Sequence, residues 1–379
     1  MENMRVLFFV GTRPEAIKLA PVIDEFRRSG IEVGVCVSAQ HREMLDQILK
    51  FFSIRPDFDL DIMIPEQSLF DITTRALCGL ERVLREYTPH WIFIQGDTTT
   101  TLMGALGGFY ARVPVAHIEA GLRSFNKYSP FPEEMNRVLT SHIADLHFAP
   151  TETARANLHR EGINVKRVYV VGNTVIDALL MAEKKVSHLK PGDFGDIFGG
   201  IDFSRKVLLV TVHRRESFGE PLIEMFSALR VIAETEEVEV IYPVHMNPCV
   251  QAPVEQILGG RQNIHLLPPL DYPALIWLMA RCYLILTDSG GIQEEAPSLR
   301  KPVLVMREVT ERPEGIEVGT AKIVGLQKET IIDETKRLLV DSEEYIRMSL
   351  ATNPYGDGKA SIRIREIMER EGRTIARER

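Results

Sequence analysis

The sequence predicts an α/β protein with two domains, each built on a doubly wound parallel sheet. Short runs rich in Val, Ile and Leu alternate with longer segments of helical periodicity, which is typical of buried parallel strands joined by helices. The alternation occurs twice, over residues 1–170 and again from about residue 205. The length of 379 residues also exceeds what one hydrophobic core usually organises.

Nine apolar runs are the predicted strands: Val6–Val10, Val33–Val37, Trp91–Gln95, Val113–Ile118, Val168–Val171, Val207–Val212, Val238–Val244, Leu284–Thr287 and Pro302–Met306. The clearest intervening helices are Pro14–Arg28, Ile72–Glu86 and Leu222–Thr235. Because strands and helices alternate, each sheet should be covered by helices on both faces.

The domain boundary is predicted near Gly172, because a helix is expected from Thr174. The first domain is then 1–171 and the second 172–358. Ser187–Ser204, rich in Gly, Asp and Pro, predicts an insertion loop near this junction. From periodicity alone, a last helix over Ala360–Arg370 can pack on either domain.

Composition excludes several classes of function. A net charge of −8 and a pI near 5.8 argue against a nucleic-acid or acidic-membrane partner. The N-terminal apolar run is too short for a signal peptide, and no run approaches the roughly 18 apolar residues of a membrane span, so we expect a cytoplasmic protein. The four cysteines form no C-x-x-C pair, which predicts neither a metal site nor a disulfide framework. Cys36 and Cys282 lie in apolar runs and are expected to be buried thiols.

Polar clusters follow the predicted strands at their carboxyl ends. They are Gly11–Glu15, Gly96–Thr99, His117–Gly121, His213–Glu216, His245–Pro248, Asp288–Gly291 and Arg307–Glu314. Ligands of open parallel sheets bind at the carboxyl ends of the strands. We therefore expect clusters from both domains to face one inter-domain cleft.

Phosphate binding is the first chemistry that these clusters indicate. Ser289, Gly290 and Gly291 link a strand to a helix, where glycines let a phosphate approach the backbone amides; a plain tight turn is the alternative. Glu295 lies one turn further on and can accept ribose hydroxyls. Arg13 leads the first helix and can clamp a pyrophosphate, with Lys18 one turn later; the alternative for Arg13 is a surface side chain at a helix start.

Acid–base catalysis is the second chemistry that these polar clusters indicate. Asp97, Glu119 and Glu133 lie beside Gly- and Pro-rich turns at the cleft side, where carboxylates can act on a proton. The structural alternative for Asp97 is the N-cap of the helix that begins in the following threonines. His213 and His245 each end an apolar strand and can contact phosphate; either can instead be structural.

An ordered set of motifs covers Gly11 to Gly358: GTRPEAIKLAP, AQHREMLDQ, GDTTTT, HIEAGLRS, PFPEEMNR, GNTVIDAL, HRRESFG, TDSGGIQEEAPSL and NPYGDG. This set resembles the successive signatures of bacterial and archaeal non-hydrolysing UDP-GlcNAc 2-epimerases. The resemblance implies two Rossmann-like domains in the GT-B arrangement, with residues 359–379 crossing back to the first domain. It also implies a homodimer that interconverts UDP-GlcNAc and UDP-ManNAc and supplies ManNAc units for surface polysaccharide.

The resemblance also implies roles for single residues. Catalytic positions correspond to Asp97, Glu119, Glu133 and His213. Nucleotide contacts correspond to Arg13, Lys18, His245, Ser289, Gly290, Gly291, Glu295 and Arg312. Gln40 and His41 match part of a second, activating UDP-GlcNAc site of some bacterial members. Glu66 stands where some members carry an arginine, so strong activation is not expected.

Inverting C2 of the sugar requires removal of its hydrogen. No G-x-G-x-x-G follows a strand, and the Y-x-x-x-K at Tyr355–Lys359 has a loop-forming spacer, so no nicotinamide or other cofactor is expected. The remaining route is elimination of UDP to a 2-acetamidoglucal, followed by re-addition. The alternatives are a UDP-sugar glycosyltransferase, a hydrolysing 2-epimerase and a non-catalytic UDP-sugar sensor.

Overall fold

The computed structural model describes residues 4–39, 42–64, 66–214 and 217–372. They form two compact units. The N-terminal unit contains the chain up to Ala178 together with the segment that starts at Gly356, and the C-terminal unit contains Leu179–Tyr355.

The N-terminal unit is built on a sheet of seven parallel strands in the order β3-β2-β1-β4-β5-β6-β7. Its strands are β1 (Arg5–Val10), β2 (Glu32–Val37), β3 (Phe58–Asp59), β4 (Trp91–Gln95), β5 (Val115–Ile118), β6 (Leu146–Ala149) and β7 (Val168–Val170). The helices up to the division are α1 (Arg13–Arg28), α2 (Arg42–Phe51), α3 (Leu69–Tyr87), α4 (Thr99–Ala111), α5 (Glu133–Ile143), α6 (Glu152–Arg160) and α7 (Thr174–Val186), within which the division falls.

The C-terminal unit has six parallel strands in the order β10-β9-β8-β11-β12-β13. They are β8 (Lys206–Thr211), β9 (Val238–Pro243), β10 (Ile264–Leu267), β11 (Leu284–Thr287), β12 (Val303–Val305) and β13 (Ala321–Ile323). Its helices are α8 (Glu220–Thr235), α9 (Pro248–Leu258), α10 (Tyr272–Arg281), α11 (Gly290–Glu295), α12 (Pro313–Glu317), α13 (Lys328–Val340) and α14 (Ser342–Leu350). A final helix, α15 (Ala360–Ile367), belongs to the N-terminal unit.

Both sheets confirm the predicted fold class of two Rossmann-like parallel sheets. The nine predicted strands are present, and four short strands escaped prediction: β3, β6, β10 and β13. Each sheet reverses its strand order once, between β1 and β4 and between β8 and β11. In parallel sheets the crevice at such a reversal is the usual ligand position. The polar clusters after β1, β4, β8 and β11 lie at these two reversals.

Aromatic side chains fill much of both cores. In the N-terminal unit the rings of Phe8 and Phe93 stack with centroids 4.9 Å apart. In the C-terminal unit Phe198, from the predicted insertion loop, stacks on Trp277 at 4.9 Å. Phe198 is therefore part of the core, while most of the insertion segment, including a short 3₁₀ helix at Pro191–Phe194, is exposed. Cys36 and Cys282 are buried as predicted, and burial raises the pKa of both thiols.

Helix α15 and the residues after it pack within the N-terminal unit. Arg365 Nε donates to Glu25 of α1 at 2.8 Å. The indole nitrogen of Trp91, in β4, donates to the carbonyl of Gly372 at 3.0 Å. In the described part of the chain, helices are too short or too polar to cross a membrane.

Candidate functional site

In the N-terminal unit, Glu15 ties together the loops after β1 and β4. Its Oε2 accepts the N–H groups of Gly11 at 2.7 Å and Thr12 at 2.6 Å. Its Oε1 accepts the hydroxyls of Thr98 at 2.5 Å and Thr101 at 2.9 Å. The carboxyl is only 2% exposed, and this burial raises the pKa of Glu15 despite the four hydrogen bonds. The predicted phosphate loop and the predicted base loop are therefore one fixed assembly.

Gly11 is required here by close approach of the backbone to α4. A Cβ at this position would lie 2.4 Å from Thr100 Oγ1 and 2.6 Å from Thr100 Cβ, closer than real side-chain atoms approach. Arg13 begins α1 just beyond it and is partly exposed, with Pro14 as the next residue. Because Gly11 has no side chain, the backbone just before Arg13 can pack closely against α4.

Glu119 follows β5 in a left-handed backbone conformation, with φ of 65°. Its side chain is 7% exposed, and the ammonium of Lys18 contacts both carboxylate oxygens, at 2.6 and 2.7 Å. Gln95 also donates to the carboxylate, as does Asn173 at 3.3 Å. Lys18, expected at the nucleotide, is thus placed on a predicted catalytic carboxylate, which it and the two amides hold in one orientation.

The N-cap alternative for Asp97 is wrong. The cap of α4 is Thr98, the residue after Asp97, and its hydroxyl accepts the Thr101 N–H at 3.2 Å. The Asp97 carboxylate instead receives two hydrogen-bonding nitrogens of Arg137, at 2.9 and 2.7 Å. Its side chain keeps 28% exposure, so the carboxylate is held in place yet accessible.

Helix α5 carries the third predicted carboxylate. Glu133 is its first residue and is partly exposed. The adjacent Glu134 is buried and accepts the N–H groups of Ser124 at 2.9 Å and Phe125 at 2.8 Å. Burial raises the pKa of Glu134, but these bonds and Arg137 at 3.1 Å outweigh it and lower the pKa below its usual range. Arg137 therefore bridges Glu134 to Asp97.

In the C-terminal unit, Asp288 organises the loop after β8. Its Oδ2 accepts the N–H groups of His213 and Arg214, each at 2.8 Å. Its Oδ1 lies 3.3 Å from Nδ1 of the His213 ring, and the Asp288 side chain is fully buried. The His213 and His245 rings lie face to face, with centroids 5.9 Å apart.

These two histidines border a cavity of about 220 Å³ that Ser289 and Ile292 also line, with Pro269 and Leu270 at another wall. The structure therefore brings three predicted residues, His213, His245 and Ser289, to one place. Glu295, predicted for the ribose, is half-buried at the end of α11 and does not line this cavity.

Two guanidinium groups converge beside Gly290. A Cβ at Gly290 would lie 3.5 Å from Arg312 Cζ and 3.8 Å from an Nη of Arg214. Arg312 is fixed by Glu294, to which its Nε donates. Arg214 donates to Glu311 at 3.3 Å. Hydrogen bonds from Arg307, chiefly, lower the pKa of Glu311 to about 2. Two guanidinium groups therefore lie next to the buried Gly290, and the following Gly291 is exposed.

Gln40 and His41, predicted for a second nucleotide site, lie outside the described residues. Sequence reasoning did not assign roles to four residues that hold the candidate site: Glu15, Arg137, Arg214 and Asp288. All four lie inside the quoted motifs, so motif position was the available signal, but side-chain partners were not. Among the described residues, no cluster of His, Cys, Asp and Glu has the arrangement of a metal site.

Comparison with known proteins shows which family the chain resembles. A family model described as UDP-N-acetylglucosamine 2-epimerase matches residues 24–369. A UDP-N-acetylglucosamine 2-epimerase of Escherichia coli K12 is 53% identical over 97% of this chain and 98% of its own length. The Neisseria meningitidis UDP-GlcNAc 2-epimerase, solved bound to UDP-GlcNAc, is 46% identical with a TM-score of 0.85, covering 97% of this chain and 100% of its own. The enzyme of Methanocaldococcus jannaschii is 33% identical with a TM-score of 0.86 over 97% and 100%.

Fold, motifs and these matches define an epimerase of nucleotide sugars, and hence an isomerase. More particularly, the chain belongs to the UDP-N-acetylglucosamine 2-epimerase family. The resemblance drawn from the motifs is thereby confirmed.

Proposed function

We propose that this protein interconverts UDP-GlcNAc and UDP-ManNAc without net hydrolysis. The observation that carries the proposal is that the two units present different chemical groups at the carboxyl ends of their strands. The N-terminal unit presents fixed carboxylates at Asp97 and Glu119. The C-terminal unit presents arginines beside Gly290 and histidines around the cavity that Ser289 lines. The motifs imply the GT-B arrangement, with domains 1–171 and 172–358 and a C-terminal segment from 359.

The chemistry proceeds by elimination, because the C2–H of a sugar is too weakly acidic for a carboxylate to ionise directly. The bond between C1 and the phosphate oxygen breaks, and its electron pair leaves with UDP. A carboxylate takes the C2 proton, and the C–H electrons form the C1=C2 double bond of 2-acetamidoglucal. UDP then returns to C1 while C2 receives a proton from the opposite face.

Magnitudes give the positioning and stabilisation of UDP at least as much weight as the base. A positioned general base contributes about 10²–10⁴-fold, equivalent to roughly 3–5 kcal/mol. Holding the glycal and UDP for recombination contributes on the order of 7–11 kcal/mol. Charge that develops on the departing diphosphate must also be stabilised. Arg13, Arg312 and His213 are the side chains that we assign to this task, with the amides of Ser289–Gly291.

Asp97 and Glu119 fit roles as acceptors of a proton because cationic side chains hold both. Arg137 contacts Asp97, and Lys18 contacts Glu119. These contacts hold each carboxylate in one orientation, from which it can accept a proton and face positive charge at C1. Glu133 is the third candidate, at the start of α5. The two faces of C2 require two proton-transferring groups, and these three residues are the candidates.

Incubation of the purified protein with UDP-GlcNAc alone in D₂O tests the proposal. We expect UDP-ManNAc to appear with deuterium at C2 and no nicotinamide absorbance. Retention of the original hydrogen through full turnover contradicts the elimination. Steady release of free ManNAc and UDP identifies a hydrolysing epimerase. No reaction without an acceptor points to a glycosyltransferase, and tight binding without turnover points to a sensor.

We further propose a homodimer formed through α3 and α4. Phe109 and Tyr110 are 55% and 67% exposed. Tyr110 lines a cavity of about 670 Å³, larger than the one at His213, together with apolar side chains that include Leu77, Leu84 and Val113. A large exposed apolar surface is typical of a subunit interface. Sedimentation should show a dimer that Tyr110→Asp converts to a monomer; a monomeric wild-type protein at all concentrations contradicts the proposal.

We also propose that the enzyme acts in the cytoplasm and that its product, UDP-ManNAc, supplies ManNAc units for surface polysaccharide. Deletion of the gene should remove ManNAc from the cell-surface polysaccharide, and unchanged ManNAc content would contradict it.

A further inference from the structure

Asp288 is a buried carboxylate that the proposed reaction does not yet use. Its side chain has no solvent exposure. Its Oδ2 accepts two consecutive backbone N–H groups, those of His213 and Arg214. Its Oδ1 accepts no conventional hydrogen bond from the described residues, yet it lies 3.3 Å from His213 Nδ1. A buried carboxylate oxygen left over in this way requires an explanation.

The surroundings keep this carboxylate next to the ring. The Tyr242 hydroxyl donates to the carbonyl of Val212 at 2.7 Å and fixes the residue before His213. Burial, and after it the Asp288 charge, raise the pKa of Tyr242, so its hydroxyl remains a donor. The His213 side chain itself is 42% exposed. One edge of the imidazole therefore faces Asp288 while the rest of the ring is accessible to a ligand.

We propose that Asp288 is a positioning residue for His213. Its Oδ1 accepts the Nδ1–H of the imidazole, fixes the orientation of the ring, and supports positive charge on the ring as Nε2 contacts the diphosphate. A carboxylate beside one nitrogen of a histidine determines which nitrogen carries the proton and stabilises the charged ring. The catalytic part of this inference rests on the proposed epimerase function.

The substitution Asp288→Asn separates the two tasks of the carboxylate. The amide oxygen can still accept the two backbone N–H groups, which keeps the loop in place. The amide nitrogen then faces Nδ1 and donates to it, so the neutral ring must carry its proton on Nε2, and the counter-charge is lost. We expect kcat to fall by about 10²-fold or more. We expect the Kd for UDP to change by less than about 5-fold, because support of developing charge matters most in the transition state.

A double-mutant cycle with His213→Gln tests whether the effect passes through the ring. In that background Asp288→Asn should cost less than about 3-fold in kcat, because partners in one chain of contacts are not additive. The matched control is Asp341→Asn, since Asp341 also accepts two backbone N–H groups, those of Glu343 and Glu344. It should leave kcat unchanged. An equal loss from Asp288→Asn in both backgrounds would mean that Asp288 only supports the backbone, and the inference would be overturned.

Nitrogen-15 NMR of histidine-labelled wild-type protein provides a test that needs neither catalysis nor a folded variant at position 288. The His213 resonances are assigned by their loss in His213→Gln. A proton on Nδ1, alone or together with one on Nε2, supports the inference, and a neutral ring protonated only on Nε2 overturns it. If the wild-type protein fails to epimerise UDP-GlcNAc, the proposed function fails while this measurement still decides the role of Asp288.

Discussion

The ammonium of Lys18 lies 2.6 Å from Oε1 of Glu119, joining two residues that are 101 positions apart in the chain. Lys18 belongs to the second turn of α1, and Glu119 follows β5. The ion pair therefore fixes the strand-end loop of β5 relative to the helix that begins at Arg13. A residue expected to hold nucleotide thus also holds a candidate base.

Replacing Lys18 by Met should destabilise the N-terminal unit as well as impair turnover. A carboxylate that is 7% exposed would lose its counter-charge, which costs about 2–4 kcal/mol when the pair is only partly shielded from water. Urea unfolding followed by Trp91 fluorescence, with Trp277→Phe as background, measures the change. Lys50→Met, at an exposed position of α2, is the control. Equal unfolding midpoints for the two variants would contradict a stabilising ion pair.

Asp97→Asn should separate chemistry from binding. The cap of α4 is Thr98, so the substitution leaves the helix start intact and removes one charge that faces Arg137. We expect turnover to fall by at least about 10²-fold while calorimetric affinity for UDP changes little.

Arg13→Ala is the contrasting variant. It removes a proposed phosphate contact, so both UDP affinity and turnover should fall, and turnover more, because charge builds on the leaving group. Equal losses of UDP affinity in Asp97→Asn and Arg13→Ala would mean that Asp97 organises the pocket, and its catalytic assignment would have to be withdrawn.

Two glycine substitutions should have different effects. Gly11→Ala places a Cβ 2.4 Å from Thr100 Oγ1, and such overpacking costs about 1–3 kcal/mol of stability. Gly290→Ala meets no atom closer than 3.5 Å, so the fold should be unaffected. The new methyl would occupy space between the backbone and the two guanidinium groups, and UDP affinity should fall by about 10-fold, the equivalent of one lost contact. Thermal unfolding and calorimetry of both variants check the contrast; wild-type UDP affinity in a folded Gly290→Ala would remove Gly290 from the phosphate site.

Glu15 should make stability depend on pH in an unusual direction. Burial raises its pKa in the folded protein above the ordinary value of 4.5, so folding favours the protonated carboxyl. Relative to Glu15→Gln, the wild-type protein should be most stable below the unfolded pKa and lose that advantage as pH rises through the folded pKa. Urea unfolding of both proteins at about pH 5 and about pH 8 measures the difference. A wild-type advantage that grows with pH would show that the four hydrogen bonds dominate.

Periodicity and motif order predicted the sheets and the placement of polar clusters, because strands of four to six apolar residues and their following turns are local features. The strands that escaped were short or carried polar residues: β3 has two residues, and β6 contains the buried His147. A histidine interrupts the apolar pattern from which a strand is predicted, although His147 is buried and its Nε2 pairs with the Ser141 carbonyl at 2.8 Å.

Which side chains pair with each other within the site could not be predicted from the sequence, for a different reason. Arg137 reaches Asp97 across 40 residues, and Asp288 reaches His213 across 75. Such pairs are fixed by which strands become neighbours in the sheet, here β8 beside β11, and by the rotamers that the surrounding core allows. Motifs gave the residue types that gather at the strand ends, and the strand order determines which of them meet.

The hydrogen bond from Trp91 to the carbonyl of Gly372 has a consequence for biosynthesis. Strand β4 leaves the ribosome early, but its contact with residue 372 forms only after the entire C-terminal unit has been translated. The N-terminal unit therefore cannot complete its packing during translation of the C-terminal unit, and the surface that α15 covers stays exposed until then. The unit whose synthesis begins first is thus the one completed last. A chaperone that binds nascent chains would be expected to bind the surface that α15 later covers.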